Sequence, residues 1–116
     1  MRGRERTLLR SKLDREMKPF RQAGMDADPT NGLLRAVRRA LRIPSGEIAS
    51  GMGMHPDSVF DIEEREMKNT ITLRTLSKYA EAIGCKVVYG IVPLGGKTLE
   101  EVAEERMWRE RLKGGE

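Results

Sequence analysis

The chain has one cysteine, one histidine and one tryptophan, and aromatic residues make up only 4% of its 116 positions. Cys85 alone excludes an internal disulfide. One Cys with one His is too small a ligand set for a zinc site, so no metal is expected. So few aromatics argue against a base-stacking surface of the kind single-strand RNA modules use. No apolar run approaches the ~20 residues of a membrane span. The basic N-terminus lacks the continuous apolar core of a secretory signal. The expectation is a soluble, cytoplasmic protein with no membrane partner. The sequence shows no carboxylate pair at catalytic spacing, no nucleophile beside a base and no Gly-rich phosphate loop. Neither enzymatic activity nor a cofactor is expected.

What is present is charge and a modest core: 34% charged residues, 38% hydrophobic, and a net charge of +4. The length suits one domain, with room for a terminal extension. Residues 1–42 carry 12 Lys/Arg against 5 Asp/Glu, residues 43–96 carry 5 against 7, and residues 97–116 carry 5 against 6. The basic third suits a polyanion partner. An Arg-rich solvated helix face fits it equally, and charge alone does not separate the two.

The segment Ser45–Glu64, SGEIASGMGMHPDSVFDIEE, has the spacing of a helix-turn-helix. Ile48, Met52, Met54, Val59 and Ile62 fall where two short helices face one core. Ala49 is small where those helices cross, and Gly53 supplies the positive φ at which the first helix stops. Gly46 and Gly51 weaken the first helix by about 1 kcal/mol each, so packing must hold it. The second helix is expected from about Pro56 to Glu66, with His55 at the N-cap and Asp57 in its first turn.

The flanking pattern is mainly helical. Residues 5–23 read as a basic helix with Leu9, Leu13, Met17 and Phe20 as an apolar stripe, and Pro19 is expected to kink or end it near Lys18. Gln22–Gly32 reads as a linker. Thr30 or Asn31 caps a helix through Arg42 with Leu34, Val37 and Leu41 inward. Thr72 caps another through Ile83, with Leu73, Leu76, Ala80 and Ile83 inward and Gly84 at its end. Val87, Val88, Tyr89, Ile91 and Val92 make a short β-strand by composition, closed by Pro93. A lone strand needs a partner, and pairing with a second copy across a two-fold axis is the simplest one. Those five residues are therefore the candidate dimer contact. Thr98 and Glu101 form a capping box for a last helix, with Leu99, Val102, Ala103 and Met107 inward and Trp108 and Leu112 continuing the apolar side. Three segments follow: 1–29, a basic helix and linker; 30–84, the helix-turn-helix bundle; and 85–116, a strand and helix for dimerisation.

With LLRAVRRAL, EIA…GMG…SVFDIE and TITLRTLSKYAEAIGC in place, Leu34–Gly84 resembles the lambda-repressor-like helix-turn-helix domain, the Xre group. The whole chain is similar to a narrower family called mobile mystery protein A. The run Glu63–Cys85 and the V-Y-x-x-V-P segment Val88–Pro93 carry that likeness. The resemblance implies a DNA-binding, usually dimeric regulator whose partner is double-stranded DNA. It also implies a neighbouring gene for a Fic-domain protein, and hence an antitoxin-like role as the alternative. The inhibitory S/T-x-x-x-E-G/N motif of Fic regulators has only a chance match at Ser77–Ala82, without the final Gly or Asn.

Carried over residue by residue, the resemblance places Ser45, His55, Pro56, Asp57, Ser58, Phe60 and Asp61 at the DNA. It also makes Arg38 and Glu63 a structural ion pair. The departure from the family is charge. Pro56, Asp57 and Asp61 stand where amide or basic side chains are usual, and His55–Lys68 holds five acids against two Lys/Arg. Asp57 either favours the helix dipole or accepts from a cytosine amino group. Phosphate contacts from Arg35, Arg39, Arg42 and the N-terminal helix are the expected compensation.

Overall fold

The computed structural model describes residues 1–26 and 32–114. Among the described residues six α-helices follow in order: α1 (Gly3–Asp26), α2 (Leu33–Ala40), α3 (Ser45–Met52), α4 (Pro56–Met67), α5 (Leu73–Ala82) and α6 (Leu99–Gly114). A 3-10 turn, Leu94–Gly96, precedes α6. The chain divides into two compact units, Pro29–Val88 and Met1–Asp28 with Tyr89–Glu116.

In the first unit, α2 to α5 surround a core of Leu34, Ile48, Ala49, Val59, Ile62, Tyr79 and Ile83, with Met52 and Met54 packed against it. All five apolar positions of the Ser45–Glu64 pattern therefore face one core. Ile48 is completely buried, so Ile48→Ala removes about 2–5 kcal/mol. A three-residue connection, 53–55, joins α3 to α4. Leu41 and Leu73, expected inside, are exposed. Leu41 is the cap residue where α2 ends, and Leu73 opens α5, so neither sits on a continuing helical stripe. The expected caps Thr30 and Asn31 lie outside the described residues.

Four successive helices stop by one device. The N–H groups of Ile43, Met54, Thr70 and Cys85 return to the carbonyls of Arg38, Ala49, Arg65 and Ala80, at 2.8–3.0 Å. The residue before each donor takes a left-handed conformation: Arg42 (φ 58°), Gly53 (φ 65°), Asn69 (φ 60°) and Gly84 (φ 77°). The two helix-ending glycines were legible in the sequence. Arg42 adopts the same geometry against the preference of its Cβ.

In the second unit α1 packs against α6. The helix runs through Pro19 to Asp26, beyond the expected stop near Lys18 and into the expected linker. Proline removes the N–H that would reach the Arg15 carbonyl. One residue earlier, the Asp14 carbonyl accepts from the Arg21 guanidinium at 2.8 Å. The Asp14 carboxylate caps α6, accepting from the N–H groups of Leu99 at 2.7 Å and Glu100 at 3.2 Å. Arg10 holds Glu100 at 2.7 Å. The Thr98–Glu101 capping box forms as expected, with the two reciprocal bonds at 3.3 and 3.1 Å. Leu99, Val102 and Ala103 are half-buried, whereas Met107, Trp108 and Leu112 are exposed, contrary to expectation. Segments that the sequence reading sets at opposite ends of the chain thus form one unit.

The expected β-strand is absent: residues 85–93 carry no regular secondary structure, and no strand occurs among the described residues. Composition favours a strand there, but a ladder needs a second strand, and the described residues supply none. Val88, Tyr89 and Ile91 are exposed, and Val87 and Val92 are half-buried.

Two substitutions test the helix stops. A Cβ on Gly53 meets open space, so Gly53→Ala is expected to cost about 1 kcal/mol through backbone strain alone. Arg42→Gly relieves the same strain and raises the urea midpoint, by up to about 1 kcal/mol in stability. Equal midpoints for wild type and both variants contradict this account.

Candidate nucleic-acid interface

The inward side of α4 is Val59, Ile62, Glu63 and Glu66, at i, i+3, i+4 and i+7, one stripe of a helix. Its two acids both hold α2. Glu66 Oε1 accepts the Leu34 N–H at 2.8 Å, capping the start of α2 from another helix. Glu63 has no exposed surface. Its Oε2 accepts from Arg38 Nε at 2.6 Å, and its Oε1 from Arg38 Nη2 at 3.1 Å and Arg35 Nε at 3.2 Å. The Tyr79 hydroxyl of α5 also donates to Oε2. Burial pushes the Glu63 carboxyl up, and the bonds from Arg38, Tyr79 and Arg35 outweigh it, so the group sits below the ordinary carboxylate range. The same bond raises Arg38, and burial followed by the bond to Glu63 raises Tyr79. With both oxygens bonded and no surface exposed, Glu63 is a structural anchor for α2, α4 and α5.

The expected Arg38–Glu63 pair is therefore present, with two partners that sequence reasoning missed. Tyr79 reads as an ordinary core aromatic. Arg35, a candidate phosphate contact, instead directs its guanidinium to Glu63. Phe60, a candidate base contact, is half-exposed, and its ring centroid lies 5.9 Å from the Arg38 guanidinium. This is a cation–π contact on Arg38.

At the start of α4, His55 is the N-cap, its Nδ1 accepting the Asp57 N–H at 3.1 Å. This cap requires the ring proton on Nε2. Pro56 is the first helical residue, as expected. The Asp57 carboxylate lies 3.5 Å from His55 Nδ1, and the cap itself is made by His55. His55, Asp57 and Asp61 are exposed, and Ser58 is half-buried. Ser45 opens α3, half-buried. Arg39 and Arg42 are exposed, and neither forms an ion pair among the described residues. Arg65 shares that exposure on the last turn of α4 and was not singled out in the sequence.

In the other unit, α1 directs Arg10 and Arg21 inward to Glu100 and Asp14, with Arg21 Nη1 3.7 Å from the Asp14 carboxylate. Arg2, Arg4, Arg15 and Lys18 are exposed. No sequence signal pointed to Arg10–Glu100 or to the Asp14 cap of α6, because those partners lie more than 80 positions apart.

No group of three or more possible metal ligands occurs among the described residues. None of the helices described is long and apolar enough to cross a membrane. No family model, curated protein or solved structure matches the chain.

The Glu63 anchor predicts a pH dependence. Its folded-state value is lowered, so the unfolded chain binds the proton more readily, from an ordinary value of about 4.3. The stabilisation is complete above that pH and is lost as pH falls through the folded value. Melting temperature is therefore expected to drop below about pH 4 in the wild type. Glu63→Gln should flatten that drop and cost about 3 kcal/mol at pH 7. Tyr79→Phe, which leaves both arginines paired, should cost about 1–2 kcal/mol. A Glu63→Gln protein with unchanged melting at pH 7 contradicts the anchoring role.

Proposed function

We propose that the chain is a sequence-specific DNA-binding transcriptional regulator of the Xre type, acting as a homodimer that inserts the start of α4 into the major groove. The carrying observation is the α3–α4 arrangement. Two short helices meet through Ile48, Ala49, Val59 and Ile62 across a Gly53 turn, and His55, Asp57 and Asp61 stay exposed at the leading end of the second. A helix presented this way fits a groove about 12 Å wide. The resemblance of Leu34–Gly84 to lambda-repressor-like domains supports the same reading.

The charge distribution sets how such binding works. Arg35 and Arg38 are committed to Glu63. Phosphate affinity therefore falls to Arg39, Arg42 and the exposed cations of α1, and base discrimination to Ser45, His55, Ser58 and Asp61. Asp57 and Asp61 repel phosphates and keep binding to unrelated DNA weak, while Asp61 suits a cytosine amino group. A second reading rests on that same acid face of α4. An antitoxin-like partner of a Fic-domain enzyme would use Asp57, Asp61 and Glu64 to meet a basic surface, with or without DNA binding.

Anisotropy titration on the chain's own upstream duplex separates the two. The regulator is expected to bind it in preference to unrelated DNA, and with four phosphate contacts to lose roughly 100-fold in affinity between 50 and 200 mM salt. Arg39→Ala, which removes one contact from each copy of the dimer, should lower the salt slope by about 2. Asp61→Asn should strengthen binding to unrelated DNA. Equal weak binding to all duplexes, with tight binding to the neighbouring Fic protein, overturns the regulator in favour of the partner.

A further inference from the structure

One imidazole nitrogen at the leading end of α4 has two competing partners. His55 Nδ1 accepts the Asp57 N–H at 3.1 Å and lies 3.5 Å from the Asp57 carboxylate. The nitrogen has a single lone pair, so it accepts from the amide only while it carries no proton. With a proton it becomes a donor, and the carboxylate is the acceptor within reach. The two bonds exclude each other, and both partners belong to one residue. Histidine is the side chain that ordinarily changes charge between pH 5 and 8, and the chain has one. Both residues are exposed, so water delivers protons to the ring. Of the exposed charges on neighbouring elements, Glu47 on α3, Asp61 on α4, and Arg74 and Lys78 on α5, none forms a hydrogen bond or ion pair with the ring.

We propose that His55 and Asp57 form a proton-operated switch that regulates DNA binding at the start of α4. This deepens the regulator reading above and rests on it for its DNA consequence. In the neutral form His55 caps the helix, and Asp57 keeps its full negative charge on a face meant for a polyanion. A proton taken up at Nδ1 ends the cap. The imidazolium then turns to the Asp57 carboxylate and donates to it, a charge-assisted hydrogen bond. The summed charge of His55, Asp57 and Asp61 becomes less negative by one unit in each copy, and the acidic block at the leading end is lifted in part.

The magnitudes make this a switch of charge and not of stability. The Asp57 N–H that protonation releases belongs to an exposed helix end, where water replaces the lost cap. The helix dipole disfavours a cation at a helix N-terminus, and an exposed ion pair with Asp57 is an effect of similar small size. These two oppose each other and leave α4 folded. The change in charge has nothing to offset it. It removes a repulsion from the end of the helix that enters the groove, and phosphate affinity responds to each unit of charge. Linkage fixes the sign. The duplex binds the protonated form more tightly, so affinity rises as pH falls through the histidine range. Reciprocally, duplex binding draws protons onto the protein.

Two measurements on the full chain separate the switch from its consequence. Without DNA, an NMR titration between about pH 7.5 and 5.5 is expected to move the Asp57 amide along the same curve as the His55 ring. His55→Asn keeps a preferred cap residue that has no proton to gain, and its Asp57 amide is expected to stay unchanged. An Asp57 amide that ignores the ring, or that moves equally in His55→Asn, overturns the switch. With the upstream duplex, anisotropy is expected to show tighter wild-type binding at the acid end of that range. The salt slope there is expected to be steeper by about 2, one unit per copy. For His55→Asn both affinity and slope are expected to be the same at the two ends. Equal pH dependence in wild type and His55→Asn overturns the DNA consequence while the amide result stands. No duplex bound at either pH refutes the regulator reading and the DNA consequence with it, and the amide result then decides the switch alone.

Discussion

Glu63 occupies a position in which a carboxylate is expensive. It has no exposed surface, and an unpaired charge there would cost several kcal/mol or be neutralised by a proton. Two arginines from α2 and a tyrosine from α5 converge on its two oxygens. The consequence is geometric. The partners come from two helices other than α4, so satisfying one carboxylate fixes α2 and α5 relative to α4. Apolar packing among Ile48, Val59 and Ile62 is less directional and tolerates small rotations that a three-partner carboxylate does not. The short α3, weakened by two exposed glycines, is held against a frame whose other members are already positioned.

That arrangement has a price on the surface. Arginines that would serve as phosphate contacts in a less committed bundle are drawn inward: Arg35 and Arg38 to Glu63, Arg10 to Glu100, and Arg21 to Asp14. The apparent basicity of residues 1–42 therefore overstates the positive charge free to meet a polyanion. What remains exposed near the end of α2 is Arg39 and Arg42, and Arg42 sits in a left-handed conformation that its side chain disfavours. A strained, non-glycine helix stop is a place where function and stability pull apart. On the proposed DNA-binding reading, the cation retained at that stop is one of the few left for phosphates.

Local features were legible in the sequence, and long-range ones were not. Gly53, Ala49 and the apolar spacing of Ser45–Glu64 determine α3, its turn and α4 within twenty residues, and His55, Pro56, Thr72 and the Thr98–Glu101 box mark helix starts through bonds spanning two or three positions. Arg38–Glu63 came from the family likeness, whereas Tyr79 and Arg35 escaped because nothing local distinguishes a buried phenol from any core aromatic. Pro19 misled because the packing of α1 against α6 outweighs a missing backbone bond. The 87–92 strand misled in the opposite direction. Its side chains state a preference, but a ladder is a property of two strands, and one chain holds only one. Within the candidate interface, the sequence set His55, Pro56 and Asp57 at the start of α4, where the structure has them, and left their partner open. Asp57 and Phe60 prove to touch His55 and Arg38, so part of the expected reading surface is engaged with the protein itself.

The central claim is that the start of α4 and the end of α2 face DNA. A backbone-amide NMR titration of the full chain with a duplex from its own upstream region tests this most directly. The account predicts that the largest shifts fall at residues 55–61 and 39–42, with the buried α5 amides near Tyr79 little changed. Shifts confined to other surfaces, or none at a saturating duplex concentration, would contradict it.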